Sequence, residues 1–265
     1  MKRWILTIVA LAALGCGNKD ETTSPVPDNS YNPVIDPASF VSSIDNPYFP
    51  LIPGTVFHHV VAADDEHTLV TVTHDTKVIM GVTCTVVHDV VTQGEPGGSG
   101  GAGGAAGAGG AAGGGGAGAA GSGAELIEDT LDWYAQDAQG NIWYLGEDTK
   151  EYENGQVVST AGTWTWGVAG ALPGIAMYAD PAAYVGEKYR QEYSKGVAED
   201  FGEVMATGVS VTVPYGSLTG CVKTEDTSGL DPAAKEQKTY CPGVGNVLTA
   251  APDGSGRVEL TGVTP

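Results

Sequence analysis

From Thr55 to the C-terminus, apolar and polar residues alternate with period two, and the apolar positions are rich in Val, Thr and aromatic residues. Successive side chains of a strand point to opposite faces, so this pattern predicts strands buried on one side. It places them at 56–61, 68–74, 82–91, 127–136, 142–147, 188–193, 199–207, 209–213, 220–227, 235–241, 244–249 and 257–262. Met80-Gly81 reads as a tight turn, and Asp137-Ala-Gln-Gly-Asn141 as a hairpin turn. Helix signals are scarce. Asp36 as N-cap with Pro37 behind it predicts a short helix over 38–44, and residues 180–184 could form one turn. The fold class expected is all-β: an antiparallel sandwich or partly closed barrel, with few short helices. Asn46-Pro-Tyr-Phe-Pro-Leu51 holds too many prolines for regular structure. It is expected to lay Tyr48, Phe49 and Leu51 across one end of the core.

Residues 94–124 interrupt the pattern. Of these 31 positions 17 are Gly and 10 are Ala, and no side chain there is an aliphatic larger than Ala. Such a segment has too little surface to offset its ordering entropy, so it reads as a disordered insertion in a hairpin loop. No basic residue or GK[ST] accompanies it, which excludes a phosphate-binding loop. At the other end, Lys2 and Arg3 precede a largely apolar run, 4–14, that closes on Gly15-Cys16. The run is too short to span a bilayer and reads as a secretory signal. Its end resembles the bacterial lipoprotein pattern, with Ala13 where Leu is usual. That implies Cys16 as the lipidated mature N-terminus, held by several acyl chains. Gly17 after it, rather than Asp, favours an outer-membrane address. The expected organisation is a signal peptide (1–15), a polar, Pro-rich tether (16–35) and one β domain (36–265) carrying the 94–124 insertion.

Removal of residues 1–15 leaves 10 basic against 32 acidic side chains, a formal charge of −22. Such a surface repels nucleic acid, which is excluded as a partner. Cys84, Cys221 and Cys241 remain beyond Cys16. Pairing strands 220–227 and 235–241 as a hairpin sets Cys221 level with Tyr240 or Cys241, which favours a Cys221–Cys241 disulfide and leaves Cys84 odd. The rival pairing is Cys84–Cys221.

Several long motifs resemble those of a family of uncharacterised bacterial lipoproteins. They are Asn46-Pro-Tyr-Phe-Pro-Leu51, Asp132-Trp-Tyr-Ala-Gln-Asp137 with Gly140-Asn-Ile-Trp-Tyr-Leu-Gly-Glu147, Tyr189-Arg-Gln-Glu-Tyr193 with Gly196-Val-Ala-Glu-Asp200, Val213-Pro-Tyr-Gly-Ser217, and Tyr240-Cys-Pro-Gly-Val-Gly245. The likeness spans about residues 46–262 and brings no activity with it. The last motif also resembles a turn of periplasmic half-barrel carriers.

All five histidines fall between 58 and 88: His58, His59, His67, His74 and His88. Across a two-residue turn at Met80-Gly81, His74 would sit opposite Val87 and His88 opposite Thr73, on opposite faces. His59 with His74 is the pair that could still meet. Surface histidines are favoured over a metal site, and no cofactor is expected. Asp132, Glu147, Glu192, Glu199 and Asp200 lie in the family-like motifs, where a converging pair could do acid/base work. No GxSxG, SxxK or HExxH signature is present. Trp133, Trp164 and Trp166, with Glu192 and Glu199, are the candidate ligand contacts, and Trp164-Thr-Trp166 would put two indoles on one face. The reading favoured is a non-enzymatic, membrane-anchored binding or structural domain with an aromatic-lined groove for an apolar or carbohydrate ligand. The alternative is a periplasmic or surface hydrolase using paired carboxylates or a metal.

Overall fold

A computed structural model describes residues 31–94 and 123–265. The signal, Cys16 and most of the expected tether and Gly/Ala insertion lie outside the described residues. Fifteen strands form one antiparallel sheet: β1 Val56–Val61, β2 Glu66–Ile79, β3 Val82–Gln93, β4 Glu125–Gln136, β5 Ile142–Glu153, β6 Gln156–Ser159, β7 Trp164–Thr165, β8 Leu172–Met177, β9 Lys188–Arg190, β10 Glu192–Tyr193, β11 Asp200–Val213, β12 Gly216–Ser228, β13 Lys235–Cys241, β14 Gly245–Ala250 and β15 Val258–Thr264. The sheet runs β10-β8-β5-β4-β3-β2-β1-β15-β14-β13-β12-β11-β9, with β6 and β7 also pairing along β5. Its two ends, β9 and β10, are separated by Gln191 alone. One stretch of backbone therefore serves as last strand on both sides, and the sheet wraps into a nearly closed barrel. The expectation of a sandwich or barrel is settled towards the barrel.

Closure brings backbones unusually near one another. A Cβ on Gly174 of β8 would lie 2.4 Å from the carbonyl oxygens of Arg190 and Gln191, so only glycine fits where β8 passes the seam. Tyr31, in the expected tether, donates its hydroxyl to the Pro173 carbonyl beside it at 2.7 Å, so this end of the tether touches the barrel.

The opening strands follow the alternation. Inward Phe57, Val70, Val72 and Val87 meet Tyr134, Ile142, Tyr144, Val247 and Leu260 in the main core. The 46–51 segment caps this core as its prolines suggested. Phe49 and Leu51 are buried, with the Phe49 ring 5.2 Å from that of Tyr134, and Tyr48 packs at the rim. Asn46 holds the cap in place: its side-chain amide donates to the carbonyls of Gly140 and Tyr178. A second cluster, Ile79, Val82, Cys84, Val86, Trp133, Ala135 and Leu145, packs on the other face of β3–β5.

Three local expectations are corrected. The 38–44 helix is only a 3-10 turn at Pro37–Ser39, capped by Asp36, because Phe40 already bridges to Asp137 as extended chain. Strand 188–193 is split at Gln191 by the change of partner. Met80-Gly81 does turn the chain, both residues with positive φ, but an irregularity between Val72 and Thr76 sets His88 opposite Thr71, not Thr73. Beyond the insertion, Gln93 pairs with Glu125, so that segment leaves and returns within one hairpin.

Candidate functional site

The barrel interior holds carboxyl groups that the alternation itself points inward. On β4, Asp132 shares a face with Tyr134, and on β5 it lies directly opposite Glu147. A bulge makes that alignment. Gly146 takes φ +140°, and a Cβ there would sit 2.4 Å from the Trp164 carbonyl, so the glycine lets β7 close on β5 while Glu147 turns inward. Glu147 then faces Trp164 across β5 and β7. The Trp164 indole donates to Glu192 Oε2 at 2.6 Å, and the Tyr144 hydroxyl to Asp132 Oδ1 at 2.6 Å. Asp132, Glu147, Glu192 and Asp200 are each no more than 4 % exposed. Four of the five acids from the family-like motifs thus converge. Glu199 does not: half-buried, it accepts from the Gly196 amide and braces a turn.

Others join them. Asp89, Glu128, Asp226, Glu236 and Lys238 are also buried. Asp89 has the same parity on β3 as Val87 and Val91, and Lys238 the same parity on β13 as Tyr240, so a charge on the core-facing register was the signal that sequence reasoning passed over. Lys238 Nζ lies 2.9 Å from Asp226 and 3.9 Å from Glu236.

Burial dominates the electrostatics, because removal from water penalises the charged form. It lifts the Asp132 carboxyl to about 7, against the Tyr144 hydrogen bond and the charge of Lys238. Glu147 is raised well above the carboxylate range by burial and then by Glu192 and Asp132. Glu192 is raised by burial and by Asp200, and Glu128 and Glu236 are pushed to about 8 and about 7, again chiefly by burial. For Lys238, burial alone would depress the ammonium. Asp226, Tyr240 and Glu236 outweigh it and hold the group above its ordinary value.

Beside this cluster, under the cap, lies a pocket of about 50 Å³. Phe49, Leu51, Phe57, Val70 and Val244 form its apolar wall, with His59, Asn246 and the Lys238 stem among the other lining groups. That volume is room for a few water molecules or a short apolar group. His59 Nε2 is 3.1 Å from the Asn246 carbonyl, which it can meet only as a donor, so Nδ1 is left as a buried acceptor with no partner. Burial depresses this imidazole to about 4.

The remaining candidates disperse. Trp133 is buried on the opposite side of the β4 wall, with Lys77 Nζ 3.0 Å above its ring. Trp166 is half-buried and packs between the two clusters. Of the five proposed ligand contacts, Trp164 and Glu192 are the pair that a hydrogen bond joins among the described residues. The histidines also separate. His58 Nε2 is 3.0 Å from His67 Nδ1, His88 is 3.0 Å from Asp129, and His74 is exposed, so His59 and His74 do not pair. Among the described residues no group of three His, Cys, Asp or Glu side chains is disposed to hold a metal ion. The Cys221 and Cys241 strands pair as read: a disulfide joins them with Cα atoms 4.2 Å apart, and Cys84 is free and buried.

No protein-family model matches the chain, and no curated protein matches it. A crystal structure of a provisionally named lipoprotein from Parabacteroides distasonis is similar over 82 % of this chain and 98 % of its own, at 12 % identity and a TM-score of 0.37. At that level neither activity nor site residues transfer.

Proposed function

We propose that this chain is an exported lipoprotein, anchored in the bacterial envelope through Cys16, whose barrel binds a small apolar ligand and catalyses no reaction. The outer membrane is the address that Gly17 favours. The observation that carries the binding reading is the pocket under the cap: a mostly apolar wall with a buried acceptor, His59 Nδ1, on it. An orphaned buried acceptor costs about 1–3 kcal/mol, and a ligand hydroxyl could recover it. The pocket thus suits an aliphatic group with one hydrogen-bond donor. Titration with 1-hexanol, followed by amide chemical shifts, tests this. Shifts confined to Phe57, Val70, Val244 and their neighbours are expected, and filling the pocket with Val244→Trp should abolish them. Absent or scattered shifts would refute the pocket as a binding site.

One observation favours the hydrolase: the convergence of Asp132, Glu147, Glu192 and Asp200. A catalytic pair must meet its substrate, however, and these groups are closed off behind Tyr134, Tyr144 and Trp164. Turnover of chromogenic glycosides that is lost in Glu192→Gln would reverse the ranking.

A further inference from the structure

We propose that the barrel interior binds a calcium-type divalent cation between Asp132 and Glu147, with Glu192 completing its shell through water. This site is separate from the apolar pocket and does not depend on it.

The first ground is placement. Asp132 and Glu147 are direct cross-strand partners on the inner face, where Cβ atoms lie about 4.5–5.5 Å apart. The second is what each carboxyl has already committed. Tyr144 takes one oxygen of Asp132, and Trp164 takes one oxygen of Glu192. Asp132 Oδ2 and both Glu147 oxygens are buried without a hydrogen-bond partner among the described residues, while Glu192 also hydrogen-bonds Asp200. Holding one carboxylate oxygen with a protein donor and leaving the other free is how supporting residues orient metal ligands. The third ground is not an acid. The Tyr134 hydroxyl is fully buried and unpartnered, and it stands within electrostatic reach of Asp132 and Glu147. Ionised, the carboxyls present more acceptors there than the single Tyr134 hydrogen can answer, so the set calls for a species that brings positive charge.

The chemistry of the set selects that species. It is oxygen only, with no imidazole or thiolate, which suits hard cations and disfavours zinc or copper. No three acidic, His or Cys side chains among the described residues stand ready about one point, so water must supply part of the shell. Calcium accepts an irregular shell of 6–8 oxygens, whereas magnesium demands near-ideal octahedral geometry. Lys238, the buried ammonium nearby, already ion-pairs with Asp226. Because ligating carboxyls must lose their protons, affinity should rise with pH.

The full chain, purified in detergent and stripped with EDTA at pH 8, would be titrated with CaCl2 at constant ionic strength. Equilibrium dialysis should find one tightly held calcium per chain, and the melting temperature should rise by several degrees and saturate. Magnesium should act more weakly. Glu147→Gln should lose the response while melting higher than the wild-type chain in EDTA, since one buried charge is gone. Asp253→Asn, at an exposed turn, should respond fully. Should Glu147→Gln fail to fold, Tyr144→Phe replaces it, with calcium affinity expected to fall about 10–100-fold. A wild-type chain indifferent to calcium at pH 8 would overturn the proposal, leaving protons alone to neutralise the cluster. So would a variant that binds calcium as the wild type does, which would assign the ion to surface acids.

Discussion

Lys238 shows how a single side chain can decide whether an interior is tolerable. It is 2 % exposed and ion-paired with Asp226. Truncating one partner of a buried pair leaves the other uncompensated, at a typical cost of about 3–5 kcal/mol. Lys238→Met should therefore destabilise by that order in urea denaturation, and adding Asp226→Asn should recover part of the loss. A double variant no more stable than Lys238→Met would show that the pair is not the source of the cost. At this scale the sequence was half legible. Asp132, Glu147, Glu192 and Asp200 stood out because they sit in long motifs, and all four do converge. Asp89 and Lys238 carried an equally plain signal, a charge on the core-facing parity of a strand, but a lone charge in an alternating run reads as an exposed position. Glu199 could not be told from Asp200 by pattern, since adjacent residues on a strand differ only in face, and the face depends on where the strand begins.

Elements with strong alternation were legible, and those made by partners were not. β1 and β13 begin and end as expected. β6, β7 and β8 went unseen because they are short, and Leu172–Met177 carries a proline and a glycine that read as loop. They are strands because β5 offers an edge to pair with. Irregularities hide for the same reason: the register shift between Val72 and Thr76 moved His88 by two residues against β2, and alternation cannot report an inserted pair. The seam gives one test at this scale. Gly174→Ala puts a methyl against the Arg190 and Gln191 carbonyls, so the β8–β10 junction should loosen, with a loss of at least about 1–3 kcal/mol. Hydrogen exchange should be fastest at Gln191–Tyr193, and unchanged protection there would refute the constraint. The Cys221–Cys241 link closes a separation of 20 residues, so its reduction should lower stability by about 3 kcal/mol in the chain-entropy model. Cys84, whose thiol burial pushes to about 12, should resist alkylation until the protein unfolds.

For the whole molecule, the acidic interior sets a pH dependence opposite to that of ordinary surface ion pairs. Glu128 and Glu236 have folded-state values of about 8 and about 7. Both lie above an ordinary unfolded carboxyl near 4.3. Protonation then favours the folded state: their contribution is complete below the unfolded value and is lost as pH rises through 7 to 8. His59, depressed to about 4, works from the other side, and its contribution fades as pH falls from 6.5 through 4. Without divalent cation, melting temperature should thus be highest near pH 4–5, where the two glutamates begin to outweigh His59, and drop by about 5–10 °C towards pH 8, a loss of a few kcal/mol. A profile flat from pH 5 to 8 would contradict the burial of these acids. Replacing residues 95–123 by a short Gly-Ser link should hardly change the melt, because Gln93 and Glu125 are already paired and loop length contributes only weakly. A large loss would mean that the block packs.

The shared strand at Lys188–Tyr193 has one more consequence. An open sheet ends in two rows of unpaired amides and carbonyls, and each is a template on which another chain can add. Here the same six residues close both ends, Lys188–Arg190 against β11 and Glu192–Tyr193 against β8. Residues 205–213 of β11 pair with β12 alone among the described strands, so copies crowded side by side on a surface would add there, without the barrel having to spring open at Gln191.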